Sequence, residues 1–237
     1  MTTTFTITPA TPVGQIVAAQ PLLAKVFEKY GIDYCCGGKL ALGVFCAKKG
    51  LDARALIAEV EAAMAASPRP AVDWTQQGLE ALVTHIVETH HGFLREALPR
   101  LAYLSEKVAR VHGDVHPELI PVAEIYAGFN AELTQHMEKE ELILFPAIVR
   151  LEQGLERFPV NHPIAVMEDE HDSAGRALEK MHELTNGFTP PEDACNSYRA
   201  LFAGMIELEL DLFEHIHKEN NILFPRAIAM LEATSAL

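Results

Sequence analysis

Positive charge is in short supply in this chain: 19 Lys and Arg stand against 33 Asp and Glu, a net charge of −14 over 237 residues. Nucleic-acid binders concentrate basic residues on one face, so that class is disfavoured. Cysteine is sparse too, with Cys35, Cys36, Cys46 and Cys195 the full set. Four so unevenly spaced make no disulfide framework, and without a Cys-x-x-Cys pair a structural zinc site of cysteines is disfavoured. No apolar run approaches the roughly 18 residues of a membrane span. The stretch Met1 to Gly14 is Thr-rich, with neither a basic segment nor an apolar h-region, so no secretory signal is expected. Period-two alternation, the mark of half-buried strands, is missing throughout. These absences predict an all-α, cytoplasmic protein with no nucleic-acid or membrane partner.

What is present is a core and many histidines. Hydrophobic residues make up 49%, enough to exclude disorder as the main state. There are 11 histidines beside one Trp and five Tyr, and histidine is the commonest protein metal ligand. The segment 1–66 reads as a small helical domain. Its helices are Val13 to Lys29 ending at Gly31, Leu40 to Lys49 closed by Gly50, and Asp52 to Ala66 with Asp52 as N-cap. Between the first two lies the turn Tyr34-Cys35-Cys36-Gly37-Gly38. Ser67-Pro68-Arg69-Pro70 marks the boundary, with a linker over 67–73. Beyond it, over 74–237, four long helices are expected: Trp74 to Arg110, Glu118 to Leu151, Pro163 to Asn186, and Glu192 to Leu231. Long helices with short connections predict an antiparallel four-helix bundle.

The bundle repeats itself. His136-Met137-Glu138-Lys139-Glu140, running on to Phe145-Pro146, recurs 79 residues later as His215-Ile216-His217-Lys218-Glu219, running on to Phe224-Pro225. A weaker echo relates Glu88-x-x-His91 to Glu168-x-x-His171. The core stripe of the fourth helix reads Leu201, Met205, Leu208, Leu212, His215, Glu219, Ile222. That of the second reads Val122, Tyr126, Phe129, Leu133, His136, Glu140, Ile143. Both stripes are apolar except for one His and one Glu. An ionisable carboxylate on a core face is costly unless compensated, and placing two at equivalent positions points to a shared partner. A pair of metal ions is the simplest one. His and Glu at i and i+4 stack about 6 Å apart on one face, so each histidine can hold one metal while the carboxylate leans across to a second. His91 and His171 complete a set of four imidazoles and two carboxylates, which suits iron with a bridging oxygen.

Other residues are read more plainly. Glu138, Glu141 and Lys218 fit an exposed helix face, and His85, His116, His162, His182 and His217 fit surface or packing positions. His90 lies on the stripe Leu79, Val83, Ile86, Leu94, Ala97, Leu101, which periodicity alone chooses as the core face, whereas His91 follows the internal repeat with His171, and both stay open. His112 would lie about 30 Å from His91 on a continuous helix and is kept out of the ligand set.

With these residues in place, the chain resembles the RIC family, the repair-of-iron-centres di-iron proteins. The matching motifs are Tyr30-Gly31-Ile32-Asp33-Tyr34-Cys35-Cys36-Gly37-Gly38-Lys39, His136-Met-Glu-Lys-Glu140, Glu168-Asp-Glu-His171 and His215-Ile-His-Lys-Glu219-Asn-Asn-Ile-Leu-Phe-Pro. Counted back from Leu98-Pro99, the family's first ligand falls on His91; the family also carries a histidine matching His112. The resemblance implies a hemerythrin-like bundle with two iron ions in an oxo-bridged centre. It also implies repair of iron–sulfur clusters damaged by nitric oxide or oxidants, through iron donation or nitric oxide reduction, and a homodimer. Damaged iron–sulfur proteins would be its partners, nitric oxide or oxygen its small ligands. Cys35 and Cys36 are the thiols expected to act in the repair, partly exposed and with a pKa lowered by the helix beginning near Leu40. Two other functions compete: a reversible binder or sensor of oxygen or nitric oxide, which needs no thiols, and a ferritin-like oxidase using the Glu-x-x-His pairs, which leaves His136 and His215 without a role.

Overall fold

A computed structural model describes residues 6–66, 72–155 and 158–235. The expected domain boundary at Ser67 to Pro70 lies outside them. Among the described residues the fold is all-α, with one isolated bridge between Pro12 and Ala41. No described helix is long and apolar enough to cross a membrane.

The small N-terminal unit holds α1 (Val13–Ala19), α2 (Ala24–Lys29), α3 (Leu42–Lys49) and α4 (Ala53–Ala66). A single helix over Val13 to Lys29 was expected, but the chain breaks at Gln20, whose backbone is extended (φ −149°, ψ 93°). The next residue is Pro21, and a residue before proline is pushed out of the helical region. The next helix stop and start behave as read. Gly50 ends α3 at φ 66°, and the Asp52 carboxylate accepts the N–H groups of Arg54 and Ala55 at 2.8 and 3.4 Å, supplying acceptors for a helix start that has none of its own.

Four arms follow. The first is α5 (Leu79–His85) and α6 (Gly92–His112), the second α7 (Leu119–Lys139) and α8 (Phe145–Glu152), the third α9 (Asn161–Leu184), and the fourth α10 (Asn196–Lys218) and α11 (Phe224–Ser235). The first arm starts at Leu79 rather than Trp74. Its first free N–H groups, on Leu79 and Glu80, donate to the carboxylate of Glu152 on the second arm at 2.7 and 2.8 Å. The fourth arm begins at Asn196, after Pro190-Pro191. Inside α6, Pro99 does not interrupt the helix, so no break carries His112 toward His91.

Three arms contain one wide π-helical turn each: Ile86–His91, Glu140–Leu144 and Glu219–Leu223. Such turns insert one residue into an α-helix and are frequent at functional sites. They correct the expected stripes. In the second arm Ile143 is 54% exposed, and Leu144 takes its place in the core at 1%. In the first arm the inserted residue lets His90 and His91 both be buried. Side chains of the bundle form two apolar clusters. One is built on Leu101, Tyr126, Phe129, Leu201 and Leu208, the other on Leu82, Ile86, Phe145, Ile148 and Phe224. In every arm the polar residues His91, His136, Glu140, His171, His215 and Glu219 fall between the two.

The small unit docks on the π turn of the fourth arm. Asn221 Nδ2 donates to the carbonyls of Cys35 (2.9 Å) and Tyr34 (3.3 Å), and Lys39 pairs with Glu168 at 2.5 Å. Phe213 packs against the cores of both units. Asn221 enters between two glycines: a methyl on Gly38 would come within 2.3 Å of its Oδ1, and one on Gly14 within 2.2 Å. Gly38→Ala should therefore destabilise the protein by about 1–3 kcal/mol, the usual range for overpacking, as a lowered urea midpoint. An unchanged midpoint would show that Asn221 does not hold the docked arrangement.

Candidate metal centre

Three of the residues that meet in the middle stand at the ends of the π turns. Glu140 and Glu219 open their turns, one helical turn after His136 and His215, and His91 closes the turn of the first arm. His171 comes from the middle of α9. The six side chains fall into two overlapping groups, His91, Glu140, His215, Glu219 and His136, Glu140, His171, Glu219, with the donor atoms of each group within 4.8 Å of one another. Glu140 and Glu219 belong to both.

All six are buried, the two carboxylates completely. Glu140 Oε2 lies 3.3 Å from His91 Nε2 and 3.4 Å from His136 Nε2. Glu219 Oε2 lies 3.1 Å from His171 Nε2, and its Oε1 2.9 Å from His215 Nε2. Yet among the described residues both oxygens of Glu140, Oε2 of Glu219 and Nε2 of His91 have no hydrogen bond. Unpaired buried charge of this kind is among the costliest features a core can hold. Two cations among these atoms would compensate both carboxylates at once, so the donor set fits a pair of metal ions.

Without metal, protons on the histidines take over part of that role. Burial pushes the His136 pKa down, but Glu140, Glu219 and Glu170 outweigh it and raise it to about 9. Burial and Glu219 push the Glu140 carboxyl up, while His136 and His91 hold it below its usual range. Burial likewise raises Glu219, and His215 and His171 bring it well below the carboxylate range.

Outside the six, a ring of residues fixes which nitrogen faces inward. His91 Nδ1 donates to Glu141 (2.6 Å), which is held in turn by Arg95. His136 Nδ1 donates to Glu170 (2.9 Å), clamped by Lys139, and His171 Nδ1 donates to Asn220 Oδ1 (2.9 Å). Each bond turns Nε2 toward the centre, where a metal can take it, and the Nε2 atoms of His136 and His171 lie 3.0 Å apart. His215 is supported by stacking instead, its ring parallel to that of His90 at 5.3 Å, and its Nδ1 has no partner.

Sequence reasoning missed this ring. Glu141, read as a solvated helix face, orients His91. Lys218, read the same way, is buried, and its Nζ donates to His90 (2.8 Å), His85 (3.0 Å) and Glu214 (2.8 Å). A signal was available: Glu141 and Asn220 are 79 residues apart, the repeat offset, and each follows its carboxylate directly. Glu138 is exposed as expected. His90, although buried, donates to Asp211 (2.9 Å) and belongs to neither group. Glu88 is exposed and Glu168 is paired with Lys39, so neither Glu-x-x-His carboxylate reaches the centre. His112 sits 3.2 Å from Cys195 Sγ. His217 takes the packing position, buried with Nδ1 3.3 Å from the Tyr34 carbonyl.

The thiols differ most from expectation. Cys35 is buried and Cys36 only half-buried. Cys35 Sγ donates to Asp33 Oδ1 at 3.1 Å, and Cys36, burial and the Asp33 carboxylate hold the Cys35 thiol well above its usual pKa. The helix after the turn starts at Leu42, too far on to lower it. Cys46 is buried in the small unit's core, and Cys195 is an exposed residue capping α10 rather than one inside a helix.

Two family models match the chain: the hemerythrin HHE cation binding domain over residues 82–227, and a domain of unknown function, DUF542, over residues 10–64. The iron-sulfur cluster repair protein YtfE of Yersinia pseudotuberculosis is 45% identical over 215 residues, 91% of this chain and 95% of its own. YtfE of Pectobacterium atrosepticum matches with the same identity and coverage. YtfE of Yersinia pestis is 44% identical over the same shares.

The charge balance has a pH signature. A histidine with its folded pKa raised to about 9 contributes stability that is fully present below its unfolded value near 6.5 and lost as pH rises through 9. Metal-free protein should lose on the order of 3 kcal/mol between pH 6.5 and 9.5, and His136→Gln should flatten that slope in urea titrations. An equal slope in the variant would assign the loss to other groups.

Proposed function

The chain belongs to the hemerythrin HHE family of cation-binding proteins and groups with the iron–sulfur cluster repair proteins, and from that premise we propose that it repairs iron–sulfur clusters damaged by nitrosative or oxidative stress. In this reading His91, His136, Glu140, His171, His215 and Glu219 hold two iron ions. The chain divides into a thiol-bearing unit over 1–66, a linker over 67–73 and the di-iron bundle over 74–237. It acts in the cytoplasm, as a homodimer, on damaged iron–sulfur proteins.

One observation carries the reading: two wholly buried carboxylates, shared between two groups of donors, with three of their four oxygens given no hydrogen bond among the described residues. When bound, the iron pair supplies both a store of iron for a depleted cluster and a redox centre at which nitric oxide or oxygen can react. The protein's residues do the rest. Glu140 and Glu219 span the two positions, and the Glu141, Glu170 and Asn220 contacts keep four imidazoles aimed inward. A cavity of about 340 Å³ lined by His136, His171, Lys139 and Glu170 gives small ligands access to one side. Cys35 and Cys36 carry the thiol chemistry, with Cys36 the more accessible. That thiol-bearing turn, docked two residues from Glu219, favours repair over a plain gas carrier or sensor.

Iron content and Mössbauer spectra test the site. Two coupled irons per chain are expected. Glu140→Gln and Glu219→Gln should each lose much of the iron with helical content kept, because glutamine lacks the anionic oxygen that joins two cations. His91→Leu should perturb the spectrum, whereas His90→Leu leaves the irons in place. Full iron occupancy in both glutamine variants would overturn the shared-carboxylate assignment.

Repair itself tests the thiols. The Cys35→Ser, Cys36→Ser double variant should retain its iron and fail to restore activity to a damaged iron–sulfur enzyme, with Cys46→Ser and Cys195→Ser behaving like the parent. Undiminished repair by the double variant would place the chemistry in the bundle alone.

A further inference from the structure

The turn that presents the thiols gathers a third donor beside them. The donor atoms of Asp33, Cys35 and Cys36 lie within 4.8 Å of one another. Both cysteines are unpaired thiols, and their sulfurs stand 4.0 Å apart. Two thiolates on one tetrahedral ion at metal–sulfur distances of 2.3 Å are separated by about 3.8 Å, so the turn holds them near that spacing. We propose that Asp33, Cys35 and Cys36 form a metal position of their own, an oxygen–sulfur–sulfur donor set for a thiophilic divalent cation such as Fe(II) or Zn(II).

The backbone is arranged to keep this set together. Asp33 Oδ1 accepts the N–H of Cys35 at 2.9 Å, and Oδ2 accepts the N–H of Gly37 at 2.8 Å. Gly37 has no side chain to obstruct this: a methyl there would meet Asp33 Oδ2 and the Phe45 ring at 3.0 Å. Asn221 grips the Cys35 carbonyl from the bundle side at 2.9 Å. The turn is thereby tied at both ends before any ion arrives, which lowers the ordering cost of binding. Exposure is graded across the set. Asp33 is exposed, Cys36 half-buried and Cys35 buried, so the ion enters from the Asp33 side and keeps a coordination position open to a ligand from solvent or from a partner.

The protonation balance is explicit. Cys35 Sγ–H now points at Asp33 Oδ1, so a proton occupies the place where the cation would sit. Binding replaces it: one M²⁺ joins one carboxylate and two thiolates, and two protons leave to solvent. Nothing is oxidised or reduced. Thiolate donors select soft or borderline ions over Mg²⁺ or Ca²⁺, and proton release makes the affinity rise with pH.

This inference uses only the donors of the turn and stands apart from the repair reading, so each can fail alone. The test is titration of Co(II) into iron-loaded protein under reducing conditions, read by near-ultraviolet sulfur-to-cobalt charge-transfer absorption and by calorimetry in buffers of different ionisation enthalpy. One cobalt beyond the iron pair is expected, with a thiolate band and two protons released, while the iron spectrum is unchanged. Cys36→Ser should abolish the band, and Asp33→Asn should weaken binding tenfold or more while circular dichroism stays that of the parent. Loss of helical signal in Asp33→Asn would leave Cys36→Ser as the deciding variant. No binding at millimolar cobalt, binding without a thiolate band, or a band that survives Cys36→Ser would overturn the proposal.

Discussion

Two carboxylates at the centre of an apolar bundle are the constraint on which the rest depends. Glu140 and Glu219 are wholly buried, and no arrangement of hydrophobic neighbours could make that acceptable. The surroundings answer in layers. Four imidazoles face the carboxylates, three of them are anchored through Nδ1 by Glu141, Glu170 and Asn220, and two of those anchors are clamped by Arg95 and Lys139. The charge alternates outward from the centre to the surface, so each layer is compensated by the next. Apolar clusters then flank the six central residues on both sides.

Much of this was legible in the sequence because the signal was a violation of a pattern. A stripe of Leu, Met and Phe broken by one His and one Glu is visible to anyone counting threes and fours, and its recurrence 79 residues later doubles the weight. The all-α fold, the helix stop at Gly50 and the helix start at Asp52 follow from local chemistry of the same directness. What was not legible depended on geometry that periodicity assumes away. The π turns add a residue to the helix, so Ile143 swings outward while Leu144 turns in. The stripe that favoured His90 and the repeat that favoured His91 were both partly correct, since the added residue buries the two together. Only His91 meets Glu140.

The outer ring illustrates a different limit. Glu141 looks like a solvated charge because an i+1 neighbour of a core residue normally points away from the core. In a π turn the angular step per residue is smaller, and the neighbour is drawn toward the adjacent arm. Glu141 and Asn220 thereby do the same task in the two halves, each anchoring a histidine of the preceding arm. The thiols were misread for a related reason. A helix start near Leu40 would have favoured thiolates, but the intervening turn Cys36–Lys39 and the start of α3 at Leu42 leave Asp33, a carboxylate, as the group nearest the Cys35 sulfur.

The place where the internal repeat fails is as informative as the repeat. One residue past Glu141 stands Leu142, 76% exposed, at the position that Asn221 occupies in the other half. Both halves present this position outward from a π turn, at the same level as the buried centre. In one half it faces solvent. In the other it is an amide that reaches between Gly14 and Gly38 and grips the backbone of the thiol turn. A bundle made of two like hairpins has two such edges, and the small unit docks on the one that carries Asn221, with Lys39–Glu168 and Phe213 adding contacts. The docked unit sets the thiols beside the arm carrying Glu219, so two halves alike at their buried centre differ at the edge that meets the small unit.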